Sequence, residues 1–185
     1  MSQYGHSILP PHHPASHFVR KVAEKIVQVS GMGGLKWEVH VIDNPEKNAF
    51  VLPGGKIFVF TGILPIVQTE DGLAAVLGHE IAHQVARHSA EKLSTTQLVL
   101  LSQILLSFFI DPGFIFNRLL LQFGVLMPFS RRCEVEADYI GMKLMAQACY
   151  DPEAAVGVWK RMKEAERQAP PEYLSTHPSN GKPFV

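Results

Sequence analysis

Apolar residues recur at helical spacing early in the chain. Phe18, Val19, Val22, Ile26 and Val29 fall on one face, so the pattern predicts a first helix capped by Ser16 and ended by Gly31-Met32-Gly33-Gly34. Ahead of it, Met1 to Pro14 carries three prolines and no period, and reads as an extended lead-in. The period then changes. Trp37–Ile42 alternates and is rich in β-formers, and Asn48–Leu52 and Lys56–Thr61 follow as two more short strands. Asp43-Asn44-Pro45-Glu46 and Pro53-Gly54-Gly55 supply the turns, and the expectation is a small antiparallel sheet. Ile63–Val67 reads as a brief helix. Thr69 then caps a longer one, with Glu70 and Asp71 favourably placed in its first turn. Leu73, Val76, Leu77, Ile81, Ala82 and Val85 make that helix apolar on most sides, which predicts a central, buried element.

Further on, Leu98–Ile110 and Phe114–Phe129 are two mostly apolar runs, the second broken by Asn117 and Arg118. A membrane-spanning helix needs about twenty apolar residues, and neither run reaches that alone. They read as two helices in the core or in a protein interface, with a membrane-embedded or membrane-surface hairpin as the alternative. Arg131–Ala148 is a helix with Ala137, Ile140, Gly141, Leu144, Met145 and Ala148 towards the core. Asp151-Pro152 starts another, running to about Gln168, and Ala169-Pro170-Pro171 stops it. The chain contains no internal repeat. The expectation is one α+β, mostly helical domain over residues 1–185, with 1–14 as lead-in and 98–129 as an apolar, membrane-associated insert.

Composition narrows the function classes. Formal net charge is zero, which gives no reason to expect nucleic acid or an acidic partner. Cys133 and Cys149 fall in one predicted helix, about 24 Å apart along its axis, too far for a disulfide. The N-terminus has neither the apolar core of a secretory signal nor the Arg-rich amphipathic pattern of a transit peptide. Nine histidines raise a metal question, although His6, His12, His13 and His17 sit in the Pro-rich start and read as solvent-exposed.

The central helix contains Leu77-Gly78-His79-Glu80-Ile81-Ala82-His83, an H-E-x-x-H. Positions four apart share a helical face, so His79 and His83 can offer two imidazole nitrogens to one metal ion. Glu80 lies beside them, close enough to polarise a bound water. Two ligands and a general base on one turn is the zinc-peptidase pattern. Such a site needs a third protein ligand and an open position. Glu134 is the best candidate, and Asp138 shares its face and can accept a hydrogen bond from the far nitrogen of a zinc-bound histidine. Glu136 points elsewhere on the wheel and is the lesser candidate. His40 and His88 read as structural or exposed. Two His and one Glu would also accept other divalent metals. A metal-bound but inactive scaffold that binds membrane proteins, and a helical domain with a coincidental H-E-x-x-H, stand beside the peptidase reading.

Together with Thr176-His177-Pro178, these residues resemble the membrane-associated zinc endopeptidases that include bacterial HtpX and the CAAX prenyl proteases. Asn48–Pro53, Phe58–Gly62, Glu136–Gly141 and Ser175–Ser179 are similar to one branch in particular, a mitochondrial inner-membrane enzyme whose activity overlaps the m-AAA protease. The resemblance runs from about Ile8 to Lys182. It implies a minigluzincin-like core with the sheet over the motif helix. It also implies one Zn2+ per chain on His79, His83 and Glu134, with Glu80 as base. Polypeptide substrate would add as a β-strand along Asn48, Ala49, Phe50 and Val51, whose unpaired backbone groups can serve any extended chain. Membrane-protein substrates, membrane association and quality control and regulated processing in the mitochondrial inner membrane are implied as well, with homo-oligomerisation left open. His177, ahead of Pro178, fits either a loop donor to the oxyanion or a structural histidine bonded to a backbone carbonyl. At its end the chain departs from the family. Pro183 stands near the place of an arginine, and transmembrane and targeting segments expected upstream are missing, which suggests a fragment or an altered gene product.

Overall fold

In the computed structural model, which describes residues 7–107 and 126–167, the first helix, α1 (Pro14–Val29), buries Val19, Val22, Ala23 and Ile26 completely. That is the face helical spacing assigns to the core. The cap is His13, whose Nδ1 accepts the Ala15 N–H, and not Ser16. Pro14 explains the difference. Proline suits the first helical turn, where its missing N–H is not needed, so the helix starts earlier and Ser16 is buried within it.

Strands β1 (Glu38–Ile42), β2 (Ala49–Leu52) and β3 (Lys56–Phe60) form one sheet in the order β1-β3-β2. The expected antiparallel sheet is in fact mixed. β2 pairs antiparallel with β3, Phe50 opposite Phe58, whereas β1 runs parallel to β3, Val41 opposite Val59. The cause is topological: chain direction reverses at each connection, and the second strand of the β2–β3 hairpin, not the first, lies against β1. Thr61 Oγ1 accepts the Asn44 N–H, and Asn44 Oδ1 accepts the Glu46 N–H, which together hold the connection from β1 to β2. Alternation sorts the side chains to two faces. Val41, Ala49, Val51, Ile57 and Val59 join the main core, while Ile42, Phe58 and Phe60 form a second cluster with Phe50. An antiparallel bridge between Ile8 and Ile42 anchors the end of the lead-in to β1.

After the short α2 (Leu64–Val67), Thr69 Oγ1 accepts the Gly72 N–H at 3.1 Å and caps α3 (Glu70–Val85), a contact that stabilises a helix by about 1 kcal/mol. Every residue from Gly72 to Ala82 is buried, as the all-round apolar pattern required. α1, α2, β2, α5 (Met127–Gln147) and α6 (Ala154–Arg167) pack against this helix. α5 begins ahead of the expected Arg131 because Pro128 fits its first turn. Asp71 Oδ1 accepts the Asp151 N–H, and Asp151 Oδ1 accepts the Glu153 N–H, so the start of α6 is tied to the start of α3. Cys133 is buried and Cys149 exposed, and both are free.

α4 (His88–Ser107) differs from these helices. Leu93, Leu98, Leu100, Leu101, Ile104 and Leu105 are exposed, so the described part of the first apolar run is not core. No helix among the described residues is long and apolar enough to cross a membrane. Most of the second run, and the Thr176-His177-Pro178 segment, lie outside the described residues.

The site depends on how closely α3 and α5 approach. A Cβ built on Gly141 would meet the His79 backbone nitrogen at 2.9 Å, and one on Gly78 would meet the Gly141 carbonyl oxygen at 3.0 Å. Only residues without a side chain let two helix backbones meet this way. Replacing Gly141 with Val should force the helices apart and lower stability by about 1–3 kcal/mol. Denaturant unfolding would measure it, and an unchanged midpoint would mean that the crossing has room to spare.

Candidate metal centre

Two histidines one turn apart on α3 turn their ring nitrogens to the same point: His79 Nε2 and His83 Nε2 are 3.1 Å apart. α5 brings Glu134 to them, with Oε2 3.4 Å from His79 Nε2 and Oε1 3.8 Å from His83 Nε2. Metal–ligand bonds of about 2.0–2.1 Å at tetrahedral angles would place ligand atoms about 3.3 Å apart. The three observed separations bracket that value. With the ligating atoms all within 4.8 Å of one another, the trio fits one divalent ion.

Asp138, one turn beyond Glu134, sits behind the pair. Its Oδ1 is 2.9 Å from His79 Nδ1. A carboxylate only accepts, so Nδ1 carries a proton and Nε2 is the nitrogen turned towards His83 and Glu134, the one that a metal would take. Burial alone would lower the His79 pKa. The hydrogen bonds that the ring donates to Asp138 and Glu134, with the charge of Glu80 beside them, outweigh it and push the imidazole up to about 10 in the metal-free protein. Glu80 is buried on the same helix.

Other neighbours carry no local signal in the sequence. Trp159 of α6 stands edge-on to the His79 ring, centroids 5.5 Å apart at 71°. Gln84 Nε2 donates to the Val51 carbonyl at 3.2 Å, joining the motif helix to β2. Because Phe60 N–H donates to Asn48 C=O, antiparallel alternation makes Asn48, Phe50 and Leu52 the residues bonded to β3 and turns the backbone groups of Ala49 and Val51 outward. His40 stacks on Phe58 on the sheet's second face, centroids 5.0 Å apart, away from the trio. Glu136 stays out of the trio and faces His88, which is buried against His83 and was not expected there. His177 lies outside the described residues.

A model of peptidase family M48 matches residues 15–182. The chain belongs to peptidase family M48. It is 55% identical to the mitochondrial metalloendopeptidase OMA1 of Schizosaccharomyces pombe, over 98% of this chain and 55% of that protein. Against the mitochondrial metalloendopeptidase OMA1 of Saccharomyces cerevisiae the identity is 43%, over 94% of this chain and 55% of the relative. Against the human metalloendopeptidase OMA1, mitochondrial, it is 41%, over 83% and 32% respectively. This M48 chain therefore spans about half the length of its fungal relatives. Family membership removes the reading of a helical domain with a chance H-E-x-x-H. It also implies a catalytic metal, which the His79–His83–Glu134 donor set fits.

The His79 shift gives that fit a signature. A metal binding at Nε2 must displace the proton held there. Below about pH 10, the apparent metal affinity of this chain should rise with pH, by about tenfold per unit for that one proton. The metal-free protein should behave in the opposite sense. The raised His79 pKa contributes stability that is fully present below the ordinary value of 6.5 and lost as pH rises through about 10. Proton release measured by calorimetry in buffers of different ionisation enthalpy, together with unfolding midpoints across that window, checks both.

Proposed function

We propose that this chain is the peptidase domain of a zinc-dependent metalloendopeptidase that hydrolyses peptide bonds of membrane or misfolded proteins at the mitochondrial inner membrane, in protein quality control and regulated processing. The convergence of His79, His83 and Glu134, with Glu80 on the same turn of an M48 chain, carries the proposal. The names of its relatives, mitochondrial metalloendopeptidases, support the compartment and the reaction class.

In this mechanism His79, His83 and Glu134 hold one zinc ion, and Asp138 keeps His79 in the ligating tautomer. Zinc, when bound, supplies Lewis acidity towards a water and the scissile carbonyl. Glu80 takes the water's proton and delivers it to the leaving amine. His177 is the proposed donor to the oxyanion, on the strength of its Thr-His-Pro setting alone. An extended substrate joins β2 as an added strand, from Asn48 to Val51. The outward backbone groups of Ala49 and the outward Val51 N–H, together with the Gln84 contact that joins β2 to the motif helix, support that path. A mostly helical body with a small sheet against the motif helix is compatible with a minigluzincin-like core. The exposed leucines of α4 support membrane association of the 98–129 stretch. An inactive zinc scaffold is not favoured, because the base and all three ligands are present in this chain.

Replacing Glu80 with Gln should abolish cleavage of an unfolded protein in mild detergent while zinc content stays at one per chain. A variant that cleaves at the wild-type rate would rule out the mechanism. The edge-strand path predicts something different. Val51→Pro removes an outward N–H without removing a β3 bond, so it should raise KM for extended substrates well before it lowers kcat. Equal KM values for the two proteins would place the substrate elsewhere.

A further inference from the structure

His88 is a buried imidazole that the mechanism above does not use. Its side chain is 5% exposed, and its Nδ1 lies 2.9 Å from His83 Nδ1. On an unbroken helix this contact could not form. Five residues at 100° each would put His88 about 140° around the axis from His83. The helix breaks at Arg87, which adopts a left-handed φ of 59°, a conformation that costs a side-chain-bearing residue of order 1 kcal/mol or more. The break lets His88 open α4 facing back towards the end of α3.

The opposite edge of the His88 ring faces α5. Glu136 Oε2 is 3.5 Å from His88 Nε2, close enough for its charge to act but not hydrogen-bonded to it, and among the described residues that nitrogen has no hydrogen-bond partner. A carboxylate cannot donate, so its charge favours a proton on Nε2 and leaves Nδ1 as an acceptor. Between His83 and His88 one Nδ1 must donate and the other accept. Glu136 therefore fixes the direction: the His83 Nδ1–H donates to His88, and the His83 Nε2 lone pair is left facing His79 and Glu134. The metal arrangement requires the same tautomer on separate grounds.

We propose that His88 is a positioning residue for His83, its Nδ1 accepting the His83 Nδ1–H while Glu136 holds it in the accepting tautomer. The inference rests on the metal-centre reading given above. His79 is oriented by a carboxylate directly and His83 by a carboxylate through an intervening imidazole, both carboxylates coming from α5. Groups that orient a metal ligand in this way typically change metal affinity by about 10–100-fold when removed.

The test is the zinc dissociation constant of the 185-residue chain, measured by chelator competition for wild type, His88→Phe, His88→Asn and Glu136→Ala. His88→Phe keeps a ring and loses the acceptor, and should weaken zinc by about 10–100-fold. His88→Asn places an amide oxygen near the Nδ1 position and should recover most of the loss. Glu136→Ala, at a half-exposed side chain, should weaken zinc by less than His88→Phe. Wild-type affinity in His88→Phe, or equal losses in the Phe and Asn variants, would overturn the proposal. If the Phe variant does not fold, nitrogen-15 shifts of the zinc-loaded wild type decide. A neutral His88 protonated only on Nε2 upholds the proposal, and a proton on His88 Nδ1 overturns it. A folded wild type that takes up no zinc removes the metal centre itself, and this inference with it. Zinc uptake that is indifferent to His88 removes this inference alone.

Discussion

The contact between the backbones of α3 and α5 at Gly78 and Gly141 is the constraint on which the rest of the site depends. Glu134, Asp138 and Gly141 lie at i, i+4 and i+7 of α5, so the glycine that sets the depth of approach shares a face with both carboxylates that meet His79. With the backbones touching, a short carboxylate one turn away from the contact reaches the far nitrogen of His79, and a longer one two turns away reaches the near nitrogen. A side chain at the crossing would move both together. The geometry of the donor set is therefore carried by a residue that has no chemistry of its own.

Much of this was readable in the sequence, for reasons that are local. Donor chemistry and one-turn spacing place His79 beside His83 and Glu134 beside Asp138 without knowledge of the fold. The apolar surround of α3 predicts its central position, and turn residues mark the strands. What escaped depends on information that is not local. Alternation identifies β1, β2 and β3 but does not order them, so the parallel pairing of β1 with β3 could not be read. Pro14 was read as the end of the lead-in when it serves as a first-turn residue of α1, and Pro128 serves the same way in α5, inside what read as an apolar run. His88 was hidden because nothing about Arg87 announces a left-handed turn, and Trp159 reaches His79 only through the packing of α6.

A helix buried on every side that carries two imidazoles and a carboxylate is a costly element unless each polar group is satisfied. Asp138, Glu134 and His88 provide partners for the two rings, and a bound cation would offset the carboxylates that cluster there. Local stability and metal occupancy would accordingly be linked: an ion held by His79, His83 and Glu134 would bind the assembled arrangement of α3 and α5 and have little to hold in an open one. The Gln84 contact extends that linkage to β2, so the strand proposed for substrate and the helix proposed for catalysis are mechanically joined.

His79 and Asp138 are 59 residues apart in sequence, and the apolar stretch lies between them. Closing a loop of that length costs chain entropy before any contact returns it, so α3 can form well ahead of the docking of α5. A chain caught in that interval, whether still emerging from a ribosome or with its apolar stretch engaged elsewhere, carries H-E-x-x-H with no third ligand and no oriented His79. The complete donor set is thereby deferred until the contact between α3 and α5 has closed.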